Sequence, residues 1–288
     1  MKRVVICAMI VGSFVVQCAK AQKKEFSEVI KKELSYANTD VDRMLEVQNL
    51  NGSISVEGYD GDLVLLEVEK IITASSTTDL ELGKKEIGIK ALQEGSKLIV
   101  YPDSPHMHYK DGRFTSRNCQ RWEESPYDHT LNFKVKMPKS SKLKVGAINN
   151  GEVLVKNTKG DYIEAHNING GIELVNITGQ TKVHCINGEV DISYADNPTV
   201  ASTYYSLNGD INITYQRDLS ADIAFKSMNG ELFTDFNIAK QFARTIKNKT
   251  GERNVKYKYE SRPVVQIGQG GLSFDFETLN GDVIITKI

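Results

Sequence analysis

Along most of this chain apolar residues occupy every second position in short runs. The runs are introduced by one recurring phrase, Asn-Gly followed by one small or acidic residue. The apolar pairs that follow are Ile54 and Val56, Val153 and Val155, Ile172 and Leu174, Val190 and Ile192, Ile211 and Ile213, and Val283 and Ile285. Polar residues such as Glu173, Asp191 and Asn212 stand between them, the alternation of a strand with one face buried and one in water. Asn-Gly tolerates positive φ and turns a chain sharply. Apolar residues also recur four and six places before the Asn, as in Leu45 and Val47, Ile163 and Ala165, and Phe274 and Phe276, so a second strand leads into each turn. A second turn closes the unit half a period later, at Asn157-Thr158-Lys159-Gly160, Asn176-Ile177-Thr178-Gly179 and Asp196-Asn197-Pro198.

The first Asn of the central copies falls at 150, 169, 187, 208 and 229, giving steps of 19, 18, 21 and 21 residues. A period near twenty with two strands and two turns predicts an all-β fold, a parallel β-solenoid whose coils stack with like positions in phase. Asn-Gly is also the strongest hairpin signal, but a string of hairpins in a sandwich does not require so constant a step. The flanks predict caps over open strand edges: an N-terminal cap over 22–45 with a covering strand from Phe26 to Tyr36, and a short helix from Thr77 to Lys85 before a strand from Lys97 to Tyr101. Two segments interrupt the ladder, an inserted loop over 102–130 and a second excursion over 237–269 that contains Tyr257-Lys258-Tyr259. One continuous domain, 22–288, suits a solenoid in which each coil packs only on its neighbours.

The first residues change the expected location. Met1-Lys2-Arg3, an apolar run from Val4 to Val16 and Ala19-Lys20-Ala21 follow the charged, apolar and small-residue order of a secretory signal peptide spanning 1–21. Cys18 raises a lipidation reading, although Val15-Val16-Gln17 suits it poorly. No later run is long and apolar enough for a transmembrane span. Without the signal, 33 basic residues face 37 acidic ones, which gives no reason to expect nucleic acid. Two cysteines remain, Cys119 and Cys185, too few for a disulfide framework and expected to be unbridged.

Candidate chemistry is sparse. The acidic residue after Asn-Gly recurs as Glu152, Glu189, Asp210, Glu231 and Asp282, and stacking would set these about 5 Å apart along one edge. Calcium takes several oxygen ligands, which makes Glu189, Asp210 and Glu231 its weak candidates; Gly171 breaks the row, and solvated turns are the preferred reading. His166 and His184 each precede a ladder Asn by three residues and are expected to stack on the outward face, with Tyr205 and Lys226 continuing the row and Cys185 pointing inward. No third ligand completes a metal site there. The 102–130 segment holds His106, His108, Cys119 and His129 at spacings that match no zinc motif. Its Tyr109, Arg113, Phe114, Arg117, Arg121 and Trp122 are the candidate contact residues for glycan or peptide, since aromatics and Arg are enriched in binding surfaces; Tyr204, Tyr205, Tyr257 and Tyr259 join them. No nucleophile elbow, zincin helix or phosphate loop occurs, so no catalytic residue, cofactor or metal is assigned.

Phe133-Lys134-Val135-Lys136-Met137-Pro138, the Asn-Gly ladder from Ile148 to Gly230, Ser202 to Asp210, Leu219 to Asp222, Phe225 to Gly230 and Thr278 to Val283 together resemble the putative-adhesin β-strand-repeat family. Its members are exported bacterial domains of unknown function. The resemblance covers about residues 45 to 288. It implies an exported β-solenoid and an adhesin label, and it carries over no catalytic residue. The expected function is a non-catalytic envelope scaffold or adhesin, placed in the periplasm, on the outer membrane or at the cell surface, with glycan or protein partners. Two alternatives stay open: a polysaccharide lyase or hydrolase on the same surface, and a structural protein that self-associates through unpaired strands.

Overall fold

The computed structural model describes residues 23–37, 42–105, 107–110, 112–116, 125–250 and 256–288. The leader with its Cys18 lies outside them, as do Arg117, Cys119, Arg121 and Trp122. The first elements are β1 (Lys24–Leu34), β2 (Met44–Gln48), β3 (Ile54–Tyr59), β4 (Val64–Ala74), α1 (Thr77–Glu86), β5 (Gly88–Glu94), β6 (Lys97–Asp103), β7 (Met107–Lys110), β8 (Arg113–Ser116) and β9 (Tyr127–Pro138). The central ones are β10 (Lys142–Ala147), β11 (Val153–Lys156), β12 (Tyr162–Asn169), β13 (Ile172–Ile177), β14 (Gln180–Asn187), β15 (Val190–Tyr194), β16 (Ser202–Asn208) and β17 (Ile211–Tyr215). The last are β18 (Ala221–Lys226), β19 (Leu232–Thr234), β20 (Ile238–Thr250), β21 (Lys256–Ile267), β22 (Ser273–Asn280) and β23 (Val283–Lys287).

Two open sheets enclose one core, and neither closes into a barrel. Their strand orders are β1-β4-β9-β3-β11-β13-β15-β17-β23-β19 and β20-β21-β18-β22-β16-β14-β12-β10-β2-β6-β5, while β7 and β8 form a separate hairpin. In the centre each coil gives one strand to each sheet, and like strands pair in parallel, as in Ile163 beside Thr181 and Val190 beside Ile211. The sheets are mixed, not parallel throughout. β1, β4 and β9 pair antiparallel at one edge, β5 with β6 and β18 with β21 with β20 at others. β5 with β6 and β20 with β21 are consecutive strands, which a tight connection allows to pair only antiparallel.

The expected inward positions are buried: Leu45, Val47, Ile163, Ala165, Phe274 and Phe276 on one sheet, and Val153, Val155, Ile172, Leu174, Ile211 and Ile213 on the other. Toward the later coils the core becomes aromatic. The hydroxyls of Tyr194 and Tyr215 meet that of Tyr204 at 2.7 and 3.0 Å, Tyr194 and Tyr215 stack at 5.0 Å, and Tyr204 lies 4.6 Å from Phe276 between ring centroids. Tyr204, grouped with the contact residues from sequence, is therefore core. Satisfying the three hydroxyls with one another removes the penalty of burying them.

The turns do more than reverse the chain. Asn149 donates its side-chain amide to Asn51, Asn169 to Asn149, Asn187 to Asn169, Asn208 to Asn187, Asn280 to Asn208 and Asn229 to Asn280, at 2.8 to 3.3 Å. Seven side chains thus form one continuous ladder. The glycines beside them stack against backbone: a Cβ on Gly209 would sit 2.1 Å from the carbonyl oxygen of Gly188, so no larger residue permits this coil spacing. Two sequence-based placements are corrected. The ladder residue of the second coil is Asn149, because Asn150 is an extra residue with φ 55°. The Asn280 coil, last in sequence, lies between the Asn208 and Asn229 coils, since β22 and β23 insert ahead of β18 and β19.

At the flanks β1 is the expected covering strand and α1 the expected helix, with the Ser76 hydroxyl accepting the Asp79 amide at 3.1 Å. The 102–130 insertion is narrower than expected, since Pro102 belongs to β6 and Tyr127 to Thr130 begin β9. The 237–269 excursion is the long hairpin of β20 and β21.

Replacing Asn187 by Ala removes two ladder bonds and is expected to cost about 1–2 kcal/mol, against roughly half that for Asn229, which makes one; thermal or urea melts of both variants check the ratio. Burial, then the neighbouring hydroxyls, hold Tyr194, Tyr204 and Tyr215 well above the ordinary phenol value of 10.0. Their stabilisation is complete below pH 10 and lost above it, because the unfolded phenols release protons that the folded ones keep. Alkaline unfolding followed by tyrosinate absorbance is expected to be cooperative.

Candidate binding surface

Strands paired in register place equivalent side chains side by side, so the outward face of the eleven-stranded sheet is organised in rows. One row reads Gln48, Gly146, His166, His184, Tyr205, Glu277 and Lys226, and beside it run Glu46, Lys144, Glu164, Lys182, Thr203 and Asp275. His166, His184 and Tyr205 are adjacent, as the sequence predicts. Lys226 is one strand further away than expected, with Glu277 of the inserted coil between it and Tyr205.

The middle of the face is open. Lys182, His184 and Thr203 are exposed, and Glu164, His166 and Tyr205 half-buried. The His184 and Tyr205 rings lie 4.6 Å apart, and Lys182 Nζ sits 5.5 Å from the centre of the Tyr162 ring. His166 leans over Gly146, where a Cβ would meet its Cε1 at 1.9 Å; the absent side chain makes room for the ring.

Hairpins close both ends. At one, Tyr109 of β7 packs 5.1 Å from Tyr101 and 5.0 Å from Phe114, and its hydroxyl donates to the Glu46 carboxylate. Glu46 is 1% exposed although it lies on an outward face, and Lys97 stands 3.2 Å from it. Burial, then the Glu46 carboxylate, push the Tyr109 phenol far above its usual value. At the other end Arg244 of β20 donates to Ser273 Oγ at 2.5 Å and pairs with Asp275, while Arg262 of β21 and Lys226 hold Glu277 at 3.0 and 2.9 Å. The result is a shallow trough floored by imidazole, phenol and charged groups and bounded by one hairpin hydrogen-bonded to Glu46 and another ion-paired to Asp275 and Glu277.

Of the contact residues expected from sequence, Tyr109 and Phe114 are half-buried in the first wall and Arg113 is exposed beside them. The acidic row has a structural task at two positions: Asp210 Oδ1 accepts the Asp282 amide and Asp282 Oδ1 accepts the Glu231 amide, each at 2.8 Å. Glu189 lines a hollow of about 320 Å³ with Glu152, Glu173 and Asp191. Among the described residues no group of three or more His, Cys, Asp or Glu is placed to hold a metal ion. Cys185 faces the core opposite His184, as alternation requires; its thiol is free, buried and pushed up to about 11 by burial. Sequence reasoning missed Glu46, Lys144, Arg244, Arg262 and Glu277, whose proximity depends on pairing between distant segments. No helix among the described residues is long and apolar enough to cross a membrane.

The chain belongs to the Toastrack DUF4097 family, a domain of unknown function, whose pattern matches residues 31–262. No curated protein matches it. Three crystal structures are similar over most of their length. The first, a "putative cell adhesion protein" from Clostridium sporogenes, is 11% identical over 93% of this chain and 100% of its own, with a TM-score of 0.39. A "putative lipid binding protein" from Parabacteroides distasonis is 15% identical over 91% and 96%, with a TM-score of 0.34. A "putative adhesin" from Bacteroides fragilis is 9% identical over 91% and 97%, with a TM-score of 0.31.

Burial, then the Lys144 ammonium, depress the His166 imidazole below its ordinary 6.5, outweighing the Glu164 carboxylate. The neutral ring is therefore the folded form, and its contribution to stability is present above pH 6.5 and lost as pH falls through the depressed value. An NMR titration is expected to place His166 below 6.5, and Lys144→Gln to move it upward.

Proposed function

We propose that the protein is a non-catalytic binding scaffold of the cell envelope, an exported, stiff β-solenoid that presents the trough of its eleven-stranded sheet to glycan or protein partners. The observation that carries this reading is the row of His166, His184 and Tyr205, open to solvent between two hairpins tied to the same face, one by the Tyr109 hydrogen bond to Glu46 and the other by the Arg244 and Arg262 ion pairs. Rings fixed on a stacked sheet need little ordering when a partner arrives, which is how a rigid surface converts modest contacts into affinity. Arg113 extends the charged margin beside the first wall. The segment from Met1 to Ala21 supplies the export route.

The test is binding of the purified protein to envelope glycans and envelope proteins. His184→Ala with Tyr205→Ala is expected to weaken binding roughly tenfold without changing the fold, the scale of a central contact residue. Unchanged binding would remove the trough from the reading. Turnover of an acidic polysaccharide, abolished by Glu164→Gln, would replace the scaffold with the enzyme.

A further inference from the structure

The residue before each ladder asparagine from Asn149 onward is apolar: Ile148, Ile168, Ile186, Leu207, Leu279 and Met228 in spatial order. Asn167, Cys185 and Ser206, one place earlier in three of these coils, are buried, so alternation turns the apolar side chains to the outward face of the eleven-stranded sheet. Pairing fixes their register. The backbone N–H of Asn169 donates to the Ile148 carbonyl and that of Asn229 to the Leu279 carbonyl, while Asn169, Asn187, Asn208 and Asn280 are partners on successive strands. The six side chains therefore form one row across the sheet. Ile168 and Met228 are exposed, the other four are half-buried, and none belongs to or packs against the core between the sheets. A core role does not account for them.

This row lies between two others. On one side are the ladder asparagines, of which Asn169, Asn187, Asn208 and Asn280 are exposed. The ladder uses one N–H and one lone pair of each amide, so a second N–H and a second lone pair are left at every coil for a partner outside the protein. On the other side, two residues back along the same strands and about 7 Å away at the usual strand rise, stand His166, His184 and Tyr205. Amide, aliphatic and ring rows all repeat once per coil, a step of about 5 Å.

We infer that these three rows bind a linear β-1,4-linked glycan laid across the strands, one sugar per coil. The inference names the ligand class of the trough and rests on the scaffold reading above. An extended β-1,4-linked chain is a flat ribbon that advances by nearly the coil spacing at each sugar. It offers C–H faces to the aliphatic and ring rows, and hydroxyls that both donate and accept to the amides. An acyl chain would cover the aliphatic row and have no use for the amides. An extended peptide repeats on one face only every second residue, about 7 Å, and falls out of step with the coils.

The test is titration calorimetry of the purified protein with cellohexaose and chitohexaose, with the disaccharides of both, and with maltohexaose, whose α-1,4 linkage coils the same sugar out of step with the rows. At least one of the two β-linked hexamers is expected to bind, roughly tenfold tighter than its disaccharide because it spans more coils, and tighter than maltohexaose. Ile168→Thr with Ile186→Thr is expected to weaken hexamer binding roughly tenfold. Threonine is β-branched and keeps the strand, and thermal melts confirm that the variant folds. Binding of neither β-linked hexamer, equal binding of maltohexaose, or indifference to the threonine changes would each overturn the inference. The scaffold reading fails separately: a protein partner released by His184→Ala with Tyr205→Ala, in a protein that ignores both hexamers, would keep the trough and remove the glycan.

Discussion

The spacing between coils is the constraint on which this architecture depends. Parallel strands can be stacked indefinitely, but at every turn the chain must reverse without pushing its neighbours apart. Glycine satisfies the steric half of that demand by placing its bare Cα against the carbonyl of the glycine one coil away. Asparagine satisfies the polar half, because its amide has both donor and acceptor and can pass a hydrogen bond to each side. Stacked Asn side chains are a recurrent partner of in-register parallel strands for the same reason. Once that spacing is fixed, the inward Val, Ile and Leu pairs pack and the outward side chains fall into rows. The trough is thus a by-product of the turn chemistry.

The repeat made much of this legible. An alternation of two and a step near twenty were enough to place the buried pairs, the strands on either side of each Asn-Gly, the inward Cys185 and the outward His166 and His184. The covering strand and the short helix followed from local pattern and capping. What the sequence did not disclose is non-local. Nothing near Asn280 says that its coil is inserted beside Asn208, and nothing near Glu46 says that a hairpin some sixty residues later will bury it. Asn149 was displaced by its neighbour Asn150 because the two are indistinguishable until the ladder picks one.

The two ends of the trough show how charge is used when a sheet face is partly covered. Glu46 and Glu277 would be ordinary solvated carboxylates on an open sheet. Covered by hairpins, each is given cationic or hydroxyl partners, so the desolvation of the carboxylate is offset locally. The same pairs fix where the hairpins rest, and through them the width of the open floor that His184 and Tyr205 occupy.

The insertion of the Asn280 coil between the Asn208 and Asn229 coils has a consequence for how the protein is made. In a simple solenoid each coil can dock on the one before it, so assembly can follow chain order. Here β18 and β19 are synthesised before the strands that they rest on, and must wait, with β20 and β21 attached, until β22 and β23 arrive to fill the gap. The Asn280 coil is a keystone: it joins the earlier stack on one side to the β18 and β19 strands on the other, so closure of the fold depends on β22 and β23.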